Sequence, residues 1–359
     1  MNPANLDSAQ ILRACAEYLR GIQTPLGFFE PPDSKHQEIA IYQIESTWTL
    51  LEAYRRFGDR AFRDAAIRTL DRFADLQRPD GTVEHTPLPP AYYQAAREAA
   101  FEYTLGRLER DDRVYPGSQM NPDTFPQMGV TDGGLAMAAR AYANVCGEDR
   151  YHDAGWRALD HYRSIWDPAY LKKNHFITFY GLSFALVAFH AWRRTYPAAK
   201  AMVEAITNLL TDGPVWWGYS PSKLAIVGVG LITVHGCRFA DSHIRPALEA
   251  LLESGLEVLP GGYGMATGQG DRWGDYADIR GTVPLMIIMK AYDAVTESRT
   301  FTKRVAYQRM LDWLSRNREA AERAGRPFYE VQLADGSWYG SGTPIYLTVW
   351  WALGRFGPL

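Results

Sequence analysis

Apolar residues recur along this chain at three- and four-residue intervals almost from end to end, interrupted by Gly, Pro and Asp. That period predicts helix nearly throughout. The predicted helices cover about 9–22, 38–57, 60–77, 90–108, 129–146, 150–165, 174–195, 198–211, 220–237, 241–257, 277–296, 300–323 and 343–356, leaving little room for a sheet. They pair. A helix rich in Ala, Leu and aromatics ends at a tight "GD" or "GED" turn, and an amphipathic helix rich in Arg and Glu follows, as in "TWTLLEAYRRFGDRAFRDAAIRTLDRFADLQ" and "LAMAARAYANVCGEDRYHDAGWRALDHY".

With the helix near 90–108 set aside as part of an insertion at about 83–128, inner staves begin near 38, 129, 174, 220, 277 and 343, and outer staves near 9, 60, 150, 198, 241 and 300. This alternation predicts an all-α fold, an (α/α)6 barrel, as one domain spanning residues 1–359. The outer-to-inner loops then gather at one end, above the N-termini of the inner helices, where six positive dipole ends converge. An open helical solenoid used for binding is the competing architecture. It fits less well, because the repeats are irregular and the loops before the inner helices are long and rich in Trp, Tyr, Asp and Gly.

Composition narrows the function. The 359 residues are 47% hydrophobic and 22% charged with a net charge of -3, and the pI is near 6.3. Nothing there attracts nucleic acid. Cys15, Cys146 and Cys237 are odd in number and scattered, without metal-ligand spacing, which fits a reducing cytoplasm. The N-terminus lacks the basic-then-apolar layout of a secretory signal. The longest apolar run, at 224–234, is about half the roughly 20 residues that a membrane span requires. Peripheral membrane contact through an apolar rim stays open, and nothing in the sequence sets an oligomeric state.

The end of the chain carries the most specific motif. "QLADGSW" (Gln332, Asp335, Gly336, Ser337, Trp338) runs into "GTPIYLTVWWALG", and a weaker copy, "LQRPDGT", places Gln77, Asp80, Gly81 and Thr82 in the same order without the Trp. Physically the turn reads as structural: Gln bonding backbone, Asp capping, Gly permitting the turn and Trp bridging repeats. Asp335 is accordingly expected to be a cap rather than a catalyst. The motif resembles the Gln-x-x-Asp-Gly-x-Trp turns of squalene–hopene cyclases and related class II terpene cyclases. That resemblance implies a small enzyme that protonates and cyclises a linear prenyl or meroterpenoid chain, a hydrophobic substrate.

Such a step needs a carboxyl group held protonated in a dry pocket. The family supplies it from an Asp-x-Asp-Asp motif on an inner helix, and no such motif is present here. Asp132, in "GVTDGGLAMAARAY", is the only carboxylate at the start of its stave and is the expected acid; a helix cap is the plainer role. In "DRWGDYADIRGTV", Asp271, Asp275 and Asp278 stack on one face if that segment is helical, crowding that would raise their pKa values. Salt bridges to Arg272 or Arg280 are the plainer reading of Asp275 and Asp278. His175, opening the third inner stave, could relay a proton, although a lone His there is more often structural.

Glu45 and Tyr42 share the first inner stave and can face the cavity, where a buried Glu45 would need a partner; His36 and Glu38 fall at the rim. Aromatics form 13% of the chain, and Trp217, Tyr219, Trp273, Tyr276 and Trp338, with Phe28 and Phe29, fall at the pocket end. Such ring faces can stabilise a carbocation by on the order of 0.5–2 kcal/mol each. They also stack on sugars, and the same barrel with paired Asp residues serves unsaturated glucuronyl hydrolases, epimerases and lyases. A carbohydrate-active enzyme is therefore the alternative reading, and a noncatalytic helical binding module the second. No cofactor and no metal is called for: there is no Asp-Asp-x-x-Asp run and no His pair at ligand spacing.

Overall fold

The computed structural model describes residues 6–29, 40–83, 125–166, 175–212, 228, 231–232, 236–253, 256–264 and 276–341, with backbone alone at 40–42, 125–130, 175–183, 210–212 and 341. The chain is an all-α barrel of helical hairpins. Inner helices α2 (Ala40–Phe57), α4 (Phe125–Cys146), α6 (His175–Trp192) and α9 (Ile279–Val295) alternate with outer helices. These are α1 (Ser8–Gly21), α3 (Arg60–Leu76), α5 (His152–Ser164), α7 (Pro197–Asp212), α8 (Arg245–Glu253) and α10 (Val305–Arg323). A short helix at Cys237–Phe239 and a π-helical turn at Ala240–Ile244 lead directly into α8.

The two rings differ as their sequences require. α1 buries Ile11, Leu12, Cys15, Ala16 and Leu19, and α3 buries Phe62, Ala65, Ala66, Thr69, Leu70 and Phe73: one stripe each, the mark of an outer stave. α9 is buried from Ile279 to Met289 with the sole exception of Arg280, as befits a helix enclosed on every side. Small residues let the staves approach closely. A Cβ on Gly133 would stand 2.9 Å from the Phe184 carbonyl carbon of α6, and one on Gly155 of α5 would stand 2.8 Å from Ala139 Cβ. The charge of Arg318 on α10 reaches the buried Cys15 thiol of α1.

The predicted "GD" and "GED" turns are present: Gly58 and Gly147, each at φ +71°, end α2 and α4, their N–H groups bonding Tyr54 O and Ala143 O. At the opposite end of the hairpins a second device recurs, more widely than the sequence motif. Gln77 Nε2 donates to Gly81 O (3.0 Å) and Ala154 O (2.9 Å), while Arg157 donates to Gln77 Oε1. Gln23 Nε2 likewise donates to Gly27 O (3.1 Å) and Ala65 O (2.9 Å), with Arg68 bonding Gln23 Oε1. Glu257 plays the same part by accepting from Gly261 N (2.8 Å) and binding Arg309. In all three the glycine has φ between +80° and +95° and lies so close to the arginine carbonyl that a Cβ would collide with it. The turn thus clamps one repeat to the outer helix of the next.

Three differences from the sequence expectation concern the site. Short strands are present: β1 (Glu257–Leu259) pairs with β2 (Gly262–Tyr263), and β3 (Tyr276–Asp278), β4 (Tyr329–Leu333) and β5 (Trp338–Ser341) form an antiparallel sheet with Asp278 opposite Val331 and Gln332 opposite Trp338. The "QLADGSW" turn is therefore the bend of the β4–β5 hairpin, with Asp335 accepting from Ser337 N (3.0 Å) as a cap. Second, α9 starts at Ile279 rather than 277 and α10 at Val305 rather than 300, because Asp278 and the Phe301–Arg304 turn precede them. Third, α4 begins at Phe125, inside the span assigned to an insertion; residues 84–124 and the predicted helices at 90–108 and 343–356 lie outside the described residues.

Candidate functional site

On α2, Gln43 fixes the orientation of the whole helix. Its Oε1 accepts from Phe29 N (2.6 Å) and its Nε2 donates to Phe29 O (2.9 Å), so this side faces the outer ring. At 100° per residue, Glu45 lies about 200° further round and points toward the barrel axis. Trp48 and Glu52 follow it along the same inward stripe. All three are buried. Glu52 binds Arg55 toward the far end of the helix (2.8 Å to Nε), whereas the carboxyl of Glu45 sits near the loop end. Desolvation holds the Glu45 pKa well above the usual carboxylate range. Its carboxyl is buried on the inward side of α2, where losing its proton is disfavoured.

Asp132 is buried as well, and it faces the opposite way. Its Oδ2 meets His161 Nδ1 of α5 at 3.1 Å, and His161 Nε2 meets Thr82 Oγ1, in the Gln77–Thr82 turn, at 3.1 Å. Ala136 and Ala139, on the same face of α4, pack against Gly155 of α5. Asp132 therefore lies in the seam between the rings, not on the lumenal face, and is fully buried there. Burial raises its pKa to about 7 despite the opposing hydrogen bond and charge of His161. The hydrogen bond to Asp132 in turn raises His161.

Asp278 does not join a helical carboxylate stack. It is extended (φ -118°, ψ 136°), caps α9 through Arg280 N (2.7 Å) and binds the Arg280 guanidinium at 2.9 Å; Arg280 also binds Glu330 of β4 at 2.7 Å. Thr282 receives the N–H of Tyr263 from the outer turn, so Arg280, two residues earlier, lies on the axial side of α9 with its charge already held by two carboxylates.

The remaining predicted site residues divide by location. His175 opens α6 and Tyr42 lies on α2, both with backbone alone described. Asp271, Trp273, Asp275, Trp217 and Tyr219, together with His36 and Glu38, lie outside the described residues. Tyr276 heads β3 opposite Leu333. Trp338 packs beside Trp313 and Tyr329, at ring separations of 5.5 and 6.3 Å, as part of the sheet; Phe28 and Phe29 are core. His161, Thr82 and Trp48 were not anticipated. The signals were there: Thr82 sits in the copied turn, Trp48 follows Glu45 in "IESTW", and His161 adjoins the buried stripe Ala158–Leu159–Tyr162. Among the described residues no group of three or more His, Cys, Asp or Glu is placed to hold a metal, and no helix is long and apolar enough to cross a membrane.

No family model matches the chain, and no curated protein does. Solved structures do. The crystal structure of a sugar epimerase from a ruminal bacterium superposes with a TM-score of 0.64 at 8% identity, covering 98% of this chain and 100% of that one. A polysaccharide lyase superposes with a TM-score of 0.56 at 12% identity, covering 99% of this chain and 53% of that one, so the chain spans about half the lyase's length. At such identities the likeness shows the fold. The expected cyclisation of a prenyl chain is overturned: the matching barrels are those of sugar-directed proteins. The acid meant to drive it, Asp132, faces away from the lumen.

Proposed function

We propose that the protein is a carbohydrate-active enzyme, of the kind that moves protons on a sugar, with Glu45 as the group that carries the proton. The observation behind this is the buried carboxyl of Glu45 on the inward stripe of α2, its pKa raised by desolvation, beside an indole on the same stripe. A carboxylic acid kept protonated at neutral pH can donate to a sugar oxygen as negative charge develops on it, a contribution of typically 10²–10⁴ in rate. Trp48, about one turn along, offers a flat apolar face to the C–H side of a pyranose. The likeness to the epimerase extends over that whole chain, which supports an isomerase-type reaction on a sugar, with Glu45 giving a proton to a sugar oxygen, ahead of elimination from a polysaccharide.

The test is incubation of the purified protein in D2O with reducing aldoses and disaccharides, and separately with unsaturated uronides and uronate polysaccharides, followed by NMR. We expect a changed sugar carrying solvent deuterium at the carbon adjoining the carbonyl, and a loss of about 100-fold or more in Glu45→Gln with an unaltered circular dichroism spectrum. Inertness toward every carbohydrate, or full turnover by Glu45→Gln, overturns the proposal.

A further inference from the structure

We infer that Asp132, His161 and Thr82 form a proton-operated latch joining an inner helix, an outer helix and the turn between repeats, tight in mildly acidic solution and loosened in alkaline solution. The geometry is a chain of two hydrogen bonds across three separate elements: Asp132 on α4, His161 near the end of α5, and Thr82 closing the Gln77–Thr82 turn, each link 3.1 Å long. The same turn is clamped to α5 by Gln77 through Ala154 O. His161 therefore ties the seam together at the loop end of the barrel.

Both links survive a change of protonation, because a threonine hydroxyl either accepts from an imidazolium or donates to a neutral ring. What changes is charge. In acid the site holds a neutral carboxyl and an imidazolium. With one proton fewer the pair is a net-neutral ion pair. With both protons gone, a carboxylate is left between the rings with only the neutral ring's N–H on Oδ2 and no counter-charge, its Oδ1 buried with no hydrogen-bond partner among the described residues. The surroundings do not rescue it. From the turn, Asp80 adds negative charge that bears on both partners, itself countered by Arg78; from α5, Tyr162 faces Asp132 and stays a phenol. Among the described side chains of α2 and α6, which begin at Gln43 and Phe184, no ionisable group acts on the pair.

The direction follows from linkage. Burial lifts Asp132 to about 7 and the hydrogen bond to Asp132 lifts His161 above its ordinary value, so the folded seam holds more protons than the unfolded chain does. For both groups the stabilisation is complete in acid. For Asp132 it is lost as the pH climbs from the ordinary 3.8 to about 7, and for His161 as the pH climbs beyond the ordinary 6.5.

Hydrogen exchange read by mass spectrometry at pH 6.0 and 8.5, corrected for intrinsic rates, tests this. Protection in peptides covering 77–83, 131–138 and 157–164 is expected to fall at least tenfold more than in α10, and Asp132→Asn is expected to abolish that excess. Equal behaviour of the seam and α10 in the wild type, or an undiminished pH response in Asp132→Asn, overturns the latch. Should the Asn variant not fold, Thr82→Val serves: the peptide at 77–83 must lose its pH response while 131–138 keeps it, and a Thr82→Val protein indistinguishable from wild type sinks the proposal equally.

Discussion

Gln43 and Glu45 leave the same helix in opposite directions. Gln43 holds the backbone of Phe29 on the outer side, and Glu45, about 200° away, carries on the barrel-axis side of the helix a carboxyl whose pKa is raised by burial. Anchoring one side of α2 in this way fixes the other, so the lumenal acid is positioned by a contact that never touches the lumen.

A buried glutamic acid with a raised pKa has a consequence for stability. Its folded pKa stands above the unfolded value, so the folded state is favoured in acid and loses that advantage as the pH rises toward the folded pKa. Glu45→Gln is expected to melt near the wild-type temperature at pH 4 and above it at pH 9. Differential scanning calorimetry across that range checks the sign, and a variant less stable than wild type at pH 9 contradicts it.

The repeat clamp depends on a glycine that nothing else can replace. Gly81 combines φ +95° with a Cβ position blocked by the Arg157 carbonyl, so Gly81→Ala meets backbone strain and a clash together. A loss on the order of 3 kcal/mol is expected in urea unfolding. Gly58→Ala, at φ +71° but with open space around it, should cost about 1 kcal/mol.

The thiols should separate by reactivity. Cys15 is fully buried, and burial pushes its thiol far above the ordinary range against the pull of Arg318, whereas Cys237 is exposed. Alkylation of the native protein by iodoacetamide should label Cys237 and spare Cys15, with Cys15 reacting only after unfolding. Modification of Cys15 at the rate of Cys237 would place α1 outside the ring.

The fold was legible because outer staves such as α1 and α3 carry one apolar stripe while the inner staves α4, α6 and α9 are apolar on most sides, a contrast that 3.6-residue periodicity exposes directly. The strands were not. Tyr276–Asp278 is three residues long and continues into α9, so "YADIRGTV" reads as a helix start until Asp278 is seen to be the cap. The face of Asp132 was equally hidden: its outer neighbours, Ala136 and Ala139, and the axial Gly134, Ala138 and Ala141 are all small, so the helix has no side that marks itself as core. The clamps at Gln23 and Glu257 escaped a search for Gln-x-x-Asp-Gly because the physics asks for less: an amide or carboxylate four residues before a glycine of positive φ.

The most direct test of Glu45 as the working acid is the pH dependence of kcat/KM on whichever carbohydrate the protein turns over best. An acid that must be protonated gives a profile that falls on the alkaline side, with an apparent pKa well above that of an ordinary glutamate, and Glu45→Gln should lose that limb together with most of the rate. A wild-type alkaline limb that persists unchanged in Glu45→Gln would contradict the account.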